Sequence, residues 1–345
     1  MTTSGERMPK PLKPKVLVEP YFRALDSVFA PEQLERLRSF ADVVWARDGA
    51  MPSEDYAAIR DDVEAIVSGG WRQGNVADWR RLKAIMEVGG RHPGPDVLDY
   101  EHCFARSIRV LSCAPAYGPS VAEMALGLAI AAGRQLIDGH VAITRGDEVW
   151  GGAANLTSIG LYDQPVGLVG FGGLARCLMP LLAPFRCELY AHDPWLSDSY
   201  IRQRGATPLD LDELLATCRF IFVLAIPSTE NRAMIDRARL ELITADSVFL
   251  LISRAHVVDF DALTEFLIEG RFRAGIDVFP QEPVPRDHPI RTAPNVVLSA
   301  HKAGGTPRAL RDIGRMVVDD LEAILNGLPP TEMQVAHPEI VRRLP

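Results

Sequence analysis

The sequence predicts an α/β protein of two doubly wound parallel-sheet domains, and three observations carry the prediction. Apolar strand-like segments alternate with helical patterns in two separate runs, from Val16 to about Val110 and again from Val166 onward. A proline-bracketed junction, Pro115 and Pro119 around Tyr117 and Gly118, stands between the runs as a stiff hinge. A glycine-rich turn opening a helix directly after a strand occurs in the second run alone, at Gly170. Length agrees, since 345 residues exceed one ordinary domain.

In the first run KVLVEP, ADVVWA, AIVSGG, LKAIMEV and IRVLSCAP read as strands, with helices from Pro31 to about Phe40 and near Asp55. No glycine-rich phosphate loop interrupts them, so this half is the candidate substrate domain. The segment VAEMALGLAIAAGRQLIDGH places Val121, Met124, Ala125, Leu128 and Ala132 on one face and predicts one long helix. In the second run VGLVGFG, CELYAHD, FIFVLAI, SVFLLIS, FRAGIDVF and NVVLSAH give six strands, the number suited to a doubly wound sheet. A last helix, from about Pro307 to Asn326, is expected to return the chain toward the first domain. The expected division is residues 1–116 with 302–345 for the substrate domain, and 117–301 for the cofactor domain.

Composition narrows the partners. Hydrophobic residues at 47% and charged residues at 24% are the balance of a globular protein with a sizeable core. The net charge of −8 and the scattered cations give no footprint for nucleic acid or an anionic membrane. Cys103, Cys113, Cys177, Cys187 and Cys218 show no metal-ligand spacing and lie in apolar segments, so they read as reduced core residues. The opening MTTSGERMPKPLKPK has no apolar signal core, and no run of about 18 apolar residues follows. The expectation is a cytoplasmic protein with a frayed start and no bound metal.

Gly170, Gly172 and Ala175 spell G-x-G-x-x-A at the strand-to-helix junction. The first glycine suits a tight turn, the second a close backbone approach to a pyrophosphate, and the small third residue close helix packing. The same three residues also suit a plain tight turn. Asp193 ends the next strand about 20 residues on, where an acid accepts from adenosine ribose hydroxyls and repels a ribose phosphate. Its other reading is a strand-end turn acid before Pro194. Pro194 and Trp195 follow it, with no arginine, and NAD is favoured over NADP. Pro180 falls where the following helix should continue, which predicts a kink or a shifted end.

Ligands of open α/β sheets sit beyond the carboxyl ends of the strands. Arg254 follows SVFLLIS, Asp277 ends AGI, Glu282 lies shortly beyond, and His301 follows NVVLSA. Removing a hydride from a 2-hydroxy acid needs a base for the hydroxyl proton and a cation for the carboxylate and developing oxyanion. Histidine suits a group that takes a proton one way and returns it the other, with Glu282 favouring the imidazolium and fixing the ring. Arg254 offers a planar fork for a carboxylate, and Asp277 is placed to accept from the nicotinamide carboxamide. Taken singly, each of Arg254, Glu282 and His301 also reads as a surface or loop residue.

From about Leu82 to Pro329, and most strongly from Val166 onward, the chain resembles the D-isomer-specific 2-hydroxyacid dehydrogenases. VGLVGFGGLA resembles that family's cofactor turn, SRAHVVDFDAL its arginine segment, GIDVFPQEPVPRDHP its glutamate segment and SAHKAGGT its histidine segment. The resemblance implies two Rossmann-like or flavodoxin-like domains, one of them discontinuous, with the active site in the cleft between them. It implies an NAD-dependent enzyme interconverting a D-2-hydroxy acid and its 2-keto acid, and a homodimer built through the cofactor domains. Arg254, Glu282 and His301 become the catalytic residues. Gly170, Gly172, Gly173, Leu174, Asp193, Pro194, Ala225, Ile226, Pro227, Ser253, Asp277, His301 and Gly304 become the cofactor-binding residues, with Pro227 equally readable as a strand terminator.

The departures concern the substrate. The family's glycine-rich substrate loop here reads EVGGRHPGPD, with Arg91 and His92 after Gly89 and Gly90, and Lys302 follows the catalytic histidine. If Arg91, His92 and Lys302 converge, they hold a second anionic group or several hydroxyls; otherwise Arg91 and His92 are solvated loop residues. Trp71 walls the same pocket or packs in the core. Ala255 stands where the family has glycine, so a positive φ there would be strained. The alternatives are an NAD(H)-sensing corepressor-like interaction protein and a phosphite dehydrogenase-like enzyme. Formate dehydrogenases carry glutamine at the position of Glu282, which argues against formate.

Overall fold

The computed structural model describes residues 12–344; most of the expected frayed start lies outside the described residues. Thirteen strands follow one another among them: β1 Lys15–Glu19, β2 Asp42–Trp45, β3 Val63–Ser68, β4 Ala84–Glu87, β5 Arg109–Ser112, β6 Pro165–Val169, β7 Glu188–His192, β8 Thr207–Pro208, β9 Phe220–Val223, β10 Val248–Leu251, β11 Arg273–Ile276, β12 Val296–Leu298 and β13 Gln334–Val335. The chain divides into two compact units. One takes the residues up to Ala116 and Pro307–Arg342; the other takes Tyr117–Thr306 and the residues from Arg343.

The first unit holds a six-stranded sheet in the order β13-β5-β4-β3-β1-β2, parallel except for β13 on β5. Its five parallel strands have the 2-1-3-4-5 order of flavodoxin-like sheets. Every residue of β3 and β4 is buried, as expected of central strands covered on both faces. The register sets Glu19 beside Ser68, Ser68 beside Glu87 and Glu87 beside Ser112, a row of buried polar residues across four strand ends. The Pro307–Leu325 helix carries the fully buried Asp320, whose carboxylate accepts from the backbone of Thr331, Glu332 and Met333. That cap fixes the turn into β13.

The second unit holds a seven-stranded parallel sheet, β12-β11-β10-β9-β6-β7-β8. The order reverses between β6 and β9, the 3-2-1-4-5-6 Rossmann arrangement extended by one strand. One face is covered by Leu211, Leu214, Leu263, Phe266 and their neighbours, the other by Ala125, Leu128, Leu178 and Leu182. The seventh strand, β8, lacks the apolar run that marks the six expected from sequence.

The long helix expected from Val121 to His140 is broken. It spans Gly118–Gly133, and Leu136–Arg145 follows at a 54° bend, with Gln135 left-handed at φ 52°. The Gly133 carbonyl accepts from Ile159 N–H at 2.8 Å and the buried Arg273 guanidinium at 2.6 Å, both outside the helix. Tertiary donors take the carbonyl the next turn would use. The segment near Asp55 is a 3-10 helix, Ser53–Ala58. The Gly173–Leu182 helix continues two residues past Pro180 before tightening into a 3-10 turn. Among the described residues no single helix is long and apolar enough to cross a membrane.

Candidate active site

The cofactor turn begins where β6 ends. Gly170 has φ 93°, and a Cβ there would lie 2.6 Å from the backbone nitrogen of Ala225, so only glycine fits both the conformation and the approach of the β9 loop. Gly172 faces open space, leaving its backbone accessible at the start of the Gly173–Leu182 helix, while Ala175 is fully buried against the sheet. The helix N-terminus thus presents unpaired amides to an anion.

Asp193, just beyond β7, braces this turn from within. One carboxylate oxygen accepts from Phe171 N–H at 2.9 Å and the other from Trp195 N–H at 3.0 Å. Pro194 and Trp195 are exposed beside it. Across the order reversal, the Asn231 side chain ties the loop after β9, donating to Ile226 O at 2.7 Å and accepting from Ser228 N–H at 2.8 Å. Ala225, Ile226 and Pro227 are held in that loop, with Ile226 half exposed. Arg343 stacks 4.6 Å over the Trp195 ring and meets Glu230 at 3.7 Å, and Glu230 also accepts from the Trp195 indole. Sequence reading did not find that cluster, because its members lie far apart in the chain.

The residues with chemistry come from the ends of β10, β11 and β12. His301 Nδ1 lies 2.7 Å from Glu282 Oε2, and the other Glu282 oxygen accepts from Phe279 N–H at 3.0 Å. Burial pushes the Glu282 carboxyl up, but the His301 and Phe279 hydrogen bonds and the charges of His301 and Arg254 outweigh it and hold the group below its usual range. Arg254 is close enough to contribute, and its guanidinium donates to Ser253 O at 2.7 Å. The three side chains therefore gather at one edge of one sheet. Ala255 opens a 3-10 turn rather than a left-handed one, so the strain expected of a non-glycine residue there does not arise.

Asp277 is fully buried, and its two oxygens accept from Lys302 N–H at 2.9 Å and Ala303 N–H at 3.1 Å. Its carbonyl accepts from His301 N–H at 2.9 Å, where His301 has φ 51°. The side chain expected to meet the nicotinamide carboxamide is turned onto the loop that carries the histidine. Gly304 packs its backbone on Tyr117, and Lys302 is exposed. Ser253 Oγ is buried without a hydrogen-bond partner, an unmet polar atom beside the β10 end. An open glycine cradle, a helix N-terminus, a strand-end acid beside the turn and an orphan hydroxyl fit a dinucleotide.

In the first unit, the loop after β4 is organised by a residue absent from the sequence-based set. Glu87, 3% exposed, accepts from Gly89, Gly90 and Arg91 N–H at 2.6, 2.9 and 3.1 Å. Only its spacing, two residues before a glycine pair, signals this. Arg91 is exposed, whereas His92 is buried and its Nε2 donates to Gln334 O at 2.9 Å. Burial lowers the His92 pKa, so the ring is neutral and neither solvated nor an anion-holding cation. Trp71 is 8% exposed, with its indole N–H on Gly74 O at 2.8 Å, the packing role rather than an open pocket wall.

Comparison with known proteins identifies the family and the fold. Residues 126–303 match the D-isomer specific 2-hydroxyacid dehydrogenase, NAD binding domain. The chain is 29% identical over 299 residues to a D-3-phosphoglycerate dehydrogenase of Methanocaldococcus jannaschii, covering 86% of this chain and 52% of that protein. It is 28% identical over 329 residues to a glyoxylate reductase of Thermococcus onnurineus, covering 93% and 96%. A crystal structure of a phosphoglycerate oxidoreductase from Rhizobium etli superposes with a TM-score of 0.85 at 31% identity, covering 95% of this chain and all of that one. The chain spans about half the length of the D-3-phosphoglycerate dehydrogenase it matches. NAD is the cofactor its second unit is built to hold, and the chain belongs to the D-isomer-specific 2-hydroxyacid dehydrogenase family.

Proposed function

We propose that the protein is an NAD-dependent oxidoreductase that interconverts a D-2-hydroxy acid and its 2-keto acid. The observation that carries the reading is the His301–Glu282 pair at 2.7 Å, with Glu282 itself held by Phe279 N–H. When bound, NAD accepts or returns the hydride of the substrate's C2.

The chain's residues supply the rest. Glu282 occupies His301 Nδ1, which leaves Nε2 as the atom that takes the hydroxyl proton in oxidation and returns it in reduction. The lowered Glu282 pKa keeps that partner an anion at neutral pH, so it balances the imidazolium that forms. Arg254 is the clamp for the substrate carboxylate and the carbonyl oxygen beside it. Asp277 fixes the His301 loop by its backbone. Lys302 and Arg91 are the cations proposed to contact substrate, and the first unit is the proposed substrate-binding domain.

The purified protein with NADH and a panel of 2-keto acids should show turnover. His301→Ala should lower it by about a hundredfold or more, the scale of a lost acid/base. Tight NADH binding with no turnover on any acid would overturn the reading in favour of a nucleotide-sensing interaction protein.

A homodimer through the cofactor-binding units is part of the proposal. Leu136, Ile137, Ile143, Val149, Trp150 and Leu156 are exposed by half or more in one stretch of the second unit. Contiguous apolar exposure of that kind marks an association surface, and a second copy is the proposed partner.

A further inference from the structure

Two loops of the second unit flank the strand that carries the glycine turn, because β7 and β9 pair on either side of β6. Each loop has its own internal support. Asp193 accepts from Phe171 and Trp195 N–H in the loop after β7, and the Asn231 side chain holds Ile226 O and Ser228 N–H in the loop after β9. Neither loop needs the other for its shape. They are joined nonetheless, by the Trp195 indole N–H donating to Glu230 Oε2 at 3.3 Å.

A third residue, far away in sequence but part of the same unit, closes this contact from outside. The Arg343 guanidinium lies 4.6 Å from the centre of the Trp195 ring, and its Nε is 3.7 Å from Glu230 Oε1. Its carbonyl accepts from Thr229 N–H at 3.1 Å. One residue thus grips both loops, by a stack on one and by an ion pair and a backbone bond on the other. Trp195 is 38% exposed, and Arg343 and Glu230 are also partly open to water. Exposed stacks and ion pairs add little to folding, so the cluster matters more for the crevice it borders than for the core.

We propose that Trp195, Glu230 and Arg343 form a clasp over the adenosine end of the NAD site, with Arg343 as a cofactor-positioning residue that holds the clasp shut. The crevice lies beyond the carboxyl ends of the strands at the order reversal, and the acid after the second strand of such a sheet marks the adenosine ribose. Asp193 is that acid, in the same turn as Trp195. Opening the indole–carboxylate contact is then a step in cofactor exchange, and Arg343 sets how readily it happens. The proposal rests on NAD occupying this crevice and not on the identity of the substrate.

Stopped-flow displacement of NADH, followed by its fluorescence, tests the clasp. Arg343→Gln should speed NADH dissociation about three- to tenfold, the scale of one exposed stack and one ion pair together. The Kd values for NADH and for ADP-ribose should rise alike, since both carry the adenosine. Arg343→Lys keeps the charge without the planar face and should recover part of the loss. The variant-to-wild-type ratio should also shrink between about 0.05 and 0.5 M salt, as the ion pair is screened. In a Trp195→Leu background Arg343→Gln should add little.

An unchanged dissociation rate in folded Arg343→Gln would overturn the proposal. So would a loss confined to NADH with ADP-ribose unaffected, which would remove Arg343 from the adenosine end. Lysine behaving as glutamine at every salt concentration is the mark of a merely structural role and overturns it as well. If Arg343→Gln fails to fold, Glu230→Gln carries the same expectation from the other side of the clasp. Absence of turnover on every 2-keto acid would refute the dehydrogenase reading, while the NADH and ADP-ribose measurements still judge the clasp.

Discussion

Asp277→Asn separates two roles for a residue whose position alone suggests cofactor contact. The wild-type carboxylate is fully buried and accepts from Lys302 and Ala303 N–H. Asparagine keeps one acceptor oxygen and turns an NH2 toward the other amide. One charge-assisted hydrogen bond is lost, worth about 1.5–3 kcal/mol, and a buried N–H is left unmet at about 1–3 kcal/mol. The two costs describe the same contact and overlap, so a loss near 3 kcal/mol is expected. Denaturant unfolding measures it, with an unchanged slope showing that stability rather than compactness moved. Because the same loop holds His301 in a left-handed conformation, kcat should fall more than KM rises. Wild-type stability with weakened NADH binding would refute the reasoning and assign Asp277 to the cofactor instead.

Three further outcomes follow from the geometry. Gly170→Ala should cost about 2 kcal/mol, from a positive φ and a Cβ against the Ala225 backbone, and weaken NADH binding at least about tenfold; native affinity would contradict the close approach. Ile143→Asp with Leu136→Asp should halve the mass seen by sedimentation, and an unchanged mass would remove these residues from the proposed interface. Glu87 also makes stability depend on pH. Its folded pKa of about 7 stands above the ordinary 4.5, so its contribution is full below about 4.5 and is lost as pH rises through 7. At 1.36 kcal/mol per unit this amounts to roughly 3 kcal/mol. Unfolding at pH 5 and pH 8 should show that loss in the wild type and a smaller one in Glu87→Gln; equal losses would refute the assignment.

The sheets were readable because buried parallel strands are apolar runs, and SVFLLIS or FIFVLAI can hardly be anything else. β8 and β13 were not, since two-residue edge strands carry no period. The helix break at Gln135 escaped for a different reason. Its local pattern is helical throughout, and the groups that end it, Ile159 N–H and Arg273, arrive from distant parts of the chain. The candidate site divides similarly. The motifs at Gly170 and at His301 announce themselves by residue type and by their place after strands. Glu87 does not, because a carboxylate aimed at its own following amides looks like any strand-end acid until the backbone of Gly89 and Gly90 is seen. His92 misled in the opposite direction: a histidine beside an arginine in a glycine-rich loop reads as surface chemistry, yet β13 covers it.

The side-by-side order of β10, β11 and β12 has a consequence for how the candidate site is held together. Arg254, Glu282 and His301 issue from three neighbouring strands consecutive in the chain, and their braces, Phe279, Asp277 and Ser253, lie in the same stretch. The proposed acid–base pair and its clamp are therefore braced from within one continuous stretch of sequence, residues 253–303. A chimaera that transplants 253–303 should carry the proposed proton-handling pair together with its braces.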